Sequence, residues 1–510
     1  MSPLSSLRLA FPLLLVAGCG SAPTIPEESL EGDGAAFDSS SFETGGGTDT
    51  AVAVDSSTVE DTNVVVTDTA VGVDTAVTSD TAVVTDTAVT CAAVTDNKFY
   101  VDPSAGNDTT GTGTTACPFK TIGRTIGFLN STFTGGIPAG AQVLLRGNAS
   151  AATGETFPLS VPANVTIRSE LTTSVRTVEV AAGKTGFNLS RPNSGLASLI
   201  IDGKGAAYAG IGVGGSASST TTTLGFVTVT SMRNDGIYVE SGGVRIGAGV
   251  RSILNGTSPT STGLGSGLHV RGGSAVIVVA AGEAATGFDQ NAANGIIVDG
   301  TGYVTATGKA DLTGYPSVAP PAVTSGTGTI TVKQNKLAGI GIVQTSAASS
   351  SNVLTGVVVW KNEGNGIRVY AQSRLILRDS VSVANGRNGV EISPTSASTS
   401  VANIDLGGDG FGKNLLQWSG SGLSNLYAGI CVDNFYGNAV TVLAKGNYFG
   451  AKSCALSLPP TLPVLTSGAG NADCSGIGSP VDIAAEKGSG GSTPTKVTVS
   501  LASCADVVWP

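Results

Sequence analysis

Four side chains with chemical capability occupy the same place in short repeated units of the sequence. Tyr238, His269, Arg368 and Glu391 each stand third in units that read GIYV, GLHV, GIRV and GVEI. His and Glu can exchange protons, Arg can hold an anion, and the ring of Tyr can stack on the apolar face of a sugar. We therefore treat these four residues as possible ligand-binding positions.

Catalysis would need more than these four positions. A polysaccharide lyase needs carboxylates that hold Ca²⁺ beside an Arg or Lys base, and a glycosidase needs two carboxylates at a fixed spacing. No carboxylate pair recurs at the third position of the units, and no G-x-S-x-G motif accompanies His269, the only histidine. The sequence predicts no identifiable catalytic residue, no metal and no cofactor, with Ca²⁺ expected only for a lyase.

Plain interpretations also exist for the neighbouring pairs. Arg368 and Glu391 would form a surface ion pair that contributes under about 1 kcal/mol. Tyr238 and His269 would be two exposed aromatic rings on a sheet. Asp235 precedes Gly236, in a position otherwise held by turn asparagines, and is expected to be a turn residue.

The units themselves predict the fold. Gly, apolar, any, apolar recurs as GFNL, GIGV, GIYV, GLHV, GIIV, GIGI, GIRV, GVEI and GICV. Six of the eight intervals between their glycines are 23 to 31 residues, and the longer two, 44 and 40, indicate an added loop such as 310–325. Such a period is typical of a β-solenoid coil, and the third residue of each unit should point outward.

Asparagines supply a second register. An Asn stands four residues before the unit glycine at five places: Asn291, Asn335, Asn362, Asn385 and Asn425. Strand-like runs such as ITVKQN and VVVWKN lead into them. Stacked turn asparagines can hydrogen-bond from coil to coil and tolerate left-handed backbone, and the neighbouring glycine would fit the same bend.

We therefore predict an all-β right-handed parallel β-helix with an N-terminal cap, preceded by a disordered tether. The handedness follows from the rule for parallel crossover connections. Leucine-rich repeats and propellers are excluded because the units are neither Leu-dominated nor long, aromatic blades. The predicted regions are a signal peptide at 1–18, the tether at 19–97, cap and first coils at 98–170, coils at 171–455 and a Cys-containing end at 456–510.

The N-terminus predicts export and lipid attachment. Arg8 precedes a short apolar run, and VAGC ends at Cys19, which resembles the lipobox of bacterial lipoproteins. The resemblance implies that Cys19 carries lipid, that the membrane is a partner through that anchor and that the protein is exposed at the outer membrane or cell surface. Residues 19–97 contain 15 acidic residues and no Lys or Arg, with Asp68, Asp74, Asp80 and Asp86 spaced by six, as expected for an extended stalk.

Charge also excludes one class of partner. The net charge of −10 comes from the stalk, and the rest of the chain lacks a concentrated basic stripe, so nucleic acid is not expected as a partner.

Six cysteines remain beyond Cys19, an even number that suits disulfides outside the cytoplasm: Cys91, Cys117, Cys431, Cys454, Cys474 and Cys504. Proximity favours pairing them in that order, although fifteen pairings are possible.

The sequence near residue 100 also resembles a known family. YVDPSAGNDTTGTGTTACPFKTI and, later, GETFPLSVPANVTIRSE are similar to the N-terminal signature of an uncharacterised bacterial family grouped with the pectin-lyase-like β-helices. The resemblance covers 100–170 and implies the fold, whereas the family has no defined activity to transfer. Within it, KTIGRTIGFL is expected to form a short capping helix.

The function predicted from the sequence is therefore a cell-surface β-helix. It would bind an extracellular polysaccharide or have an adhesive or envelope role along the flat face of the solenoid. The alternative is a polysaccharide lyase or glycoside hydrolase whose cleft is walled by loops at 310–325 and after Glu391.

Overall fold

The computed structural model describes residues 91–256, 264–310, 327–344, 350–370, 373–393, 404–407, 412–417, 424–434, 440–444, 446–449, 464–465, 481–487 and 497–500. The chain divides into two units, Met1–Val84 and Thr85–Pro510, and all described residues belong to the second. The predicted signal peptide, Cys19, Cys454, Cys474, Cys504 and nearly all of both predicted cleft loops lie outside the described residues. Within the described part, no helix has the length and apolar character needed to cross a membrane.

One helix, a 3₁₀ turn and 34 short strands make up the described chain. In chain order they are β1 (Lys98–Val101), α1 (Ile122–Thr132), β2 (Ala141–Leu145), β3 (Ala149–Ser150), the 3₁₀ turn (Ala151–Thr153), β4 (Leu159–Ser160), β5 (Val165–Ser169), β6 (Arg176–Glu179), β7 (Thr185–Leu189), β8 (Gly195–Asp202), β9 (Ala209–Val213), β10 (Thr223–Thr230), β11 (Ile237–Val239), β12 (Gly243–Ile246), β13 (Arg251–Ile253), β14 (Leu268–Val270), β15 (Ser274–Val278), β16 (Thr286–Gly287), β17 (Ile296–Asp299), β18 (Tyr303–Thr307), β19 (Ile330–Lys333), β20 (Ile340–Val343), β21 (Asn352–Thr355), β22 (Val357–Trp360), β23 (Ile367–Tyr370), β24 (Leu375–Arg378), β25 (Val381–Val383), β26 (Val390–Ser393), β27 (Ile404–Gly407), β28 (Leu415–Gln417), β29 (Ala428–Asn434), β30 (Val440–Ala444), β31 (Tyr448–Phe449), β32 (Val464–Leu465), β33 (Val481–Lys487) and β34 (Val497–Ser500).

The strands stack as a parallel β-helix, as predicted. A strand pairs in parallel with the equivalent strand of the next coil, as β14 does with β17 and β20 does with β23. Twelve strands form one sheet, which contains β11, β14, β17, β20, β23 and β26, and 22 strands form a second sheet that supplies the other sides of the coils. We call the twelve-stranded sheet the unit sheet, because the repeated units form its strands.

The two apolar residues of each unit point into the core. Ile296, Ile340 and Ile367 follow one another in register and are at most 1% exposed. Stacking branched aliphatic side chains of consecutive coils removes their surfaces from water at about 25 cal/mol per Å². The alternation of buried and outward residues along these strands is the reason the sequence period could be read.

The predicted asparagine ladder is confirmed and is longer by one residue. The Nδ2 of each Asn donates to the Oδ1 of the next, at 2.8–3.1 Å, and the backbone N–H donates to the same oxygen. The ladder consists of Asn255, Asn291, Asn335, Asn362, Asn385 and Asn425, all at most 2% exposed. A ladder of buried, fully bonded amides ties each coil to its neighbour.

The expected roles of asparagine and glycine in this turn need correction. The left-handed backbone belongs to the residue just before the ladder Asn, with φ between +52° and +58° at Leu254, Gln290, Gln334, Lys361 and Ala384. The unit glycines are instead required by close approach. A Cβ at Gly339 would lie 2.6 Å from Nδ2 of Asn362 and 2.8 Å from the carbonyl oxygen of Gly366, closer than side chains can pack.

The N-terminal cap contains the predicted short helix. Thr121 is its N-cap and accepts a hydrogen bond from the Arg124 N–H, while Glu155 accepts from the N–H groups of Ile122 and Gly123 at 2.6 and 3.1 Å. A carboxylate at this end satisfies free N–H groups and opposes the positive end of the helix dipole. The helix covers the first coil with Ile122, Ile126 and Leu129, which are buried in the continuous core.

The signature near residue 100 has a structural role. Asp102 accepts hydrogen bonds from Ser104 and Ala105 in a turn, and Asp108 accepts from the backbone of Lys120 and from the N–H and hydroxyl of Thr121. Asp102 closes a turn within the loop, and Asp108 fastens the loop to the start of α1. The predicted Cys91–Cys117 disulfide is present and closes the same loop covalently. Cys431 is also disulfide-bonded.

Candidate functional site

The register of the predicted column in the unit sheet is confirmed residue by residue, although Glu391 and Cys431 within it are buried. Pairing in register joins Asn188, Gly212, Tyr238, His269, Ile297, Gly341, Arg368, Glu391 and Cys431. We call this set the outer column. It places Tyr238 next to His269, and Arg368 next to Glu391, but leaves two strands between the two pairs.

His269 lies between two carboxylates. Its Nδ1 is 2.9 Å from Oδ2 of Asp235, and its Nε2 is 3.2 Å from Oδ2 of Asp299. The side chains of His269 and Asp235 are only 11% and 4% exposed, whereas that of Asp299 is 31% exposed. Asp235 comes from a turn and His269 from the outer column. Asp299 lies on β17, two residues after the outer-column residue Ile297.

The carboxylates decide the charge of the imidazole. Burial lowers the pKa of His269, but the hydrogen bond to Asp235, the close contact with Asp299 and the negative charges of both carboxylates outweigh burial and raise the pKa to about 9. His269 is therefore an imidazolium at neutral pH. A cation held this way can donate hydrogen bonds but cannot accept a proton.

Asp235 has two roles where the sequence indicated one. Its Oδ1 accepts the N–H groups of Gly265 and Ser266 at 3.0 and 2.8 Å, which is the expected turn function. Its Oδ2 faces His269. The expectation that Asp235 is only a turn residue is therefore incomplete, because the second oxygen fixes the imidazole ring.

Tyr238 and a second column complete the cluster. The Tyr238 and His269 rings meet edge to face, with centroids 5.1 Å apart, and Tyr238 is half-buried. Burial raises the pKa of Tyr238 against the opposing hydrogen bond and charge of Arg271. The residues two positions after Tyr238, His269 and Ile297 are charged, and their signs alternate from strand to strand: negative, positive and negative. They are Glu240, Arg271 and Asp299. We call Asp235, Tyr238, Glu240, His269, Arg271 and Asp299 the His269 cluster.

One donor and one acceptor of the cluster make no hydrogen bond in the described part of the chain. Although Nε2 of His269 is close to Asp299, it has no hydrogen-bond partner with suitable geometry in the described part of the chain. Oδ1 of Asp299 is buried and likewise has no hydrogen-bond partner there. Buried polar atoms are bonded in most proteins, so such a pair marks a place where a polar group from outside the chain can bind.

The Arg368–Glu391 pair is not the surface pair that was expected. Nε of Arg368 is 2.9 Å from Oε1 of Glu391, but Glu391 is fully buried while the Arg368 side chain is 38% exposed. Glu391 also accepts from Nδ2 of Asn388 at 3.3 Å and from the hydroxyl of Ser393 at 2.9 Å. The outward position of Glu391 in the strand did not make it solvent-exposed, so the carboxylate positions Arg368 from beneath.

Tyr238 and His269 were predicted from the sequence, whereas three other members of the cluster were not. Glu240, Arg271 and Asp299 lie two residues beyond outer-column positions, and reading each strand for its next outward residue would have found them. Among the described residues, no group of three or more His, Cys, Asp and Glu side chains has an arrangement suited to a metal ion.

Known proteins resemble this chain at low identity. The family model described as "Right handed beta helix region" matches residues 266–426, in agreement with the predicted handedness. No curated protein matches. Among solved structures, the A-module of Azotobacter vinelandii mannuronan C-5 epimerase AlgE4 is 12% identical over 79% of this chain and 100% of its own, with a TM-score of 0.43. A rhamnogalacturonan lyase is 10% identical over 66% and 82%, with a TM-score of 0.37, and the Dettilon tailspike protein is 16% identical over 76% and 68%, with a TM-score of 0.32. At these sequence identities and TM-scores, the activities of those proteins cannot be assigned to this chain.

Proposed function

We propose that this right-handed parallel β-helix binds a linear, mainly uncharged polysaccharide at the His269 cluster. The observation that carries the proposal is the unused pair formed by Nε2 of His269 and Oδ1 of Asp299. Once the partly exposed Asp299 side chain turns aside, a sugar hydroxyl can accept a hydrogen bond from the first and donate one to the second, which satisfies both atoms. Tyr238 stands next to this pair and offers an aromatic face to the ring of the same sugar.

The charges of the cluster favour an uncharged ligand. Asp235, Glu240 and Asp299 contribute three carboxylates, against the two cations His269 and Arg271. A polymer with an acidic group on every sugar would meet no positive surplus here. Alternating acidic and basic side chains instead supply donors and acceptors together, the combination that hydroxyl-rich ligands require.

A polysaccharide lyase or glycoside hydrolase is the second candidate function, favoured by the contact between Tyr238 and His269. Catalysis at neutral pH would meet an obstacle, because the pKa of His269, about 9, and the raised pKa of Tyr238 keep both groups protonated. Both can act as acids, but a lyase also needs a base. Polysaccharide binding is therefore the preferred function. A bound Ca²⁺ ion would be required only if the protein were a lyase.

Binding and catalysis can be separated with variants of the cluster. On a glycan array and by calorimetry, Tyr238→Ala and Asp299→Ala should each weaken binding at least about tenfold, equivalent to about 1.4 kcal/mol. Tyr208→Ala is the matched control, since Tyr208 is an exposed tyrosine outside the cluster and its loss should leave affinity unchanged. Equal affinity of all three variants would contradict the proposal. Release of unsaturated ends that EDTA abolishes would favour the lyase instead.

The same proposal includes display from a membrane. Lipid on Cys19, followed by the acidic stalk, would hold the β-helix away from the outer membrane or cell surface. The Cys91–Cys117 disulfide supports a compartment outside the cytoplasm, because such bonds persist in oxidising surroundings.

Replacing the lipid-carrying residue tests the anchor. Cys19→Ser should move the protein from the membrane fraction to the soluble fraction and abolish incorporation of a labelled fatty acid. Cys91→Ser is the control, because it removes a cysteine of the disulfide and should leave the label in place. Membrane association that survives Cys19→Ser would contradict the anchor.

A further inference from the structure

We infer that Arg368 and Tyr370 form a second contact region for the same glycan chain, so that the ligand is an extended oligosaccharide lying along the axis of the β-helix. The inference rests on the proposed function, and it adds the direction, the minimum length and the uncharged character of the ligand at the far end. We call Arg368 and Tyr370 the distal region.

Strand register fixes the separation of the two regions. The outer column passes from His269 to Ile297, Gly341 and Arg368 on β14, β17, β20 and β23, which are consecutive strands. Three inter-strand spacings of about 4.8 Å give about 14 Å between the His269 and Arg368 positions. If each sugar advances by about one strand spacing, an extended chain of about four sugars is needed to reach both.

The strands between the two regions present an apolar floor. Half-buried Ile297 and buried Gly341 occupy the outer column there, and half-buried Val343 stands in the second column beside Asp299. Gly341 offers no side chain, and a Cβ at this position would make only ordinary contacts, 3.5 Å or more from Asn294. A polar site at each end of an apolar strip matches a sugar chain, whose ring faces are apolar and whose edges carry hydroxyls.

Arg368 is oriented before any ligand arrives. Its guanidinium lies 4.6 Å from the centre of the Tyr370 ring, and its Nε lies 2.9 Å from Oε1 of the buried Glu391 in an ion pair that lacks hydrogen-bond geometry. Glu391 is itself fixed by Asn388 and Ser393. A planar donor held from two sides loses little freedom when it binds, which improves affinity for a correctly spaced acceptor.

The partner of Arg368 also indicates the chemistry of the ligand. Glu391 balances the positive charge of the guanidinium, so the distal region is neutral as a whole, like the rest of the floor. Its terminal N–H groups therefore suit hydroxyl and ring oxygens of an uncharged sugar. Uncharged, extended β-1,4-linked chains are therefore a suitable probe.

Chain length is the variable that tests the inference. With the full chain, calorimetry on β-1,4-linked glucan oligosaccharides from disaccharide to hexasaccharide should show affinity rising at least tenfold on reaching the tetrasaccharide. Arg368→Lys, which loses the planar fork, and Gly341→Leu, which fills the floor, should both remove this step and leave disaccharide affinity unchanged. Arg191→Ala, at an exposed arginine elsewhere, is the control and should retain the step.

The outcomes separate this inference from the proposed function. Binding of all lengths with no step, or equal weakening of disaccharide and hexasaccharide by Arg368→Lys, would overturn the inference alone. Failure of every glucan length to bind would overturn the inference, and failure of every neutral glycan on the array as well would overturn the proposed function with it. Gly341→Leu keeps the test informative if Arg368→Lys lowers the melting temperature, because Gly341 takes no part in the ion pair.

Discussion

Replacing Asn362 with leucine is expected to lower the free energy of unfolding by about 3 kcal/mol. Asn362 is 1% exposed and lies in the middle of the asparagine ladder. Its Oδ1 accepts from the backbone N–H and Nδ2 of Asn335 at 3.1 and 2.8 Å, and its Nδ2 donates to the carbonyl of Val332 and to Oδ1 of Asn385. Leucine has a similar volume but leaves these buried groups without partners.

The cost should exceed that of one lost hydrogen bond. A buried polar group that loses its partner costs about 1 to 3 kcal/mol, and the N–H of Asn335 and the carbonyl of Val332 both lose theirs. Since the ladder joins successive coils, the loss falls on both neighbours of the substituted coil.

Gln334→Leu is the matched control for Asn362→Leu. Gln334 is exposed and has φ of +56°, and a leucine already occupies the equivalent place in another coil, at Leu254 with φ of +57°. Urea unfolding should show a change within about 0.5 kcal/mol for the control. An unchanged midpoint for Asn362→Leu would contradict the ladder as a source of stability.

Alkaline pH is expected to destabilise the fold through His269. The pKa of this residue is about 9 in the folded protein and about 6.5 when unfolded, so the folded state holds its proton more tightly. The resulting stabilisation is fully present below pH 6.5 and is lost as the pH rises through about 9. Linkage gives a loss on the order of 3 kcal/mol.

His269→Gln identifies the residue responsible. Unfolding free energies at pH 6 and pH 10 should differ by much less in this variant than in the original protein. Asp289, whose pKa burial raises to about 6, is still half protonated at pH 6, but the stability lost as it finishes titrating is the same in both proteins. A variant that loses as much stability as the original would contradict the role of His269.

Periodicity explains why so much of the fold could be predicted. Because each unit alternates inward and outward residues, locating Gly236 and Gly267 was enough to place Tyr238 beside His269, and the structure confirms that register. Asn255 was missed because residues 257–263 separate it from Gly267, so the spacing of four was lost. An insertion between a turn and the next strand changes the spacing in the sequence but leaves the register of the strands intact.

The candidate site was less predictable than the fold because it depends on contacts between coils. Asp299 lies 30 residues from His269, outside the four-residue unit that was compared, and its approach to Nε2 follows only from register and side-chain direction. The burial of Glu391 was also not predicted. An outward position in a strand predicts exposure, yet Glu391 is covered, and a local pattern has no information about what lies over a sheet.

The Cys91–Cys117 disulfide has a mechanical consequence. Strand β1 (Lys98–Val101) lies within the loop that this bond closes, and it forms the first edge of the stack by pairing with β2 (Ala141–Leu145). Tension applied through the chain before Cys91 passes across the sulfur bridge to Cys117, so it bypasses β1. A β-helix pulled from its N-terminus while holding a ligand is thereby protected against peeling of its first strand, and load reaches the cap through a covalent bond instead of through hydrogen bonds.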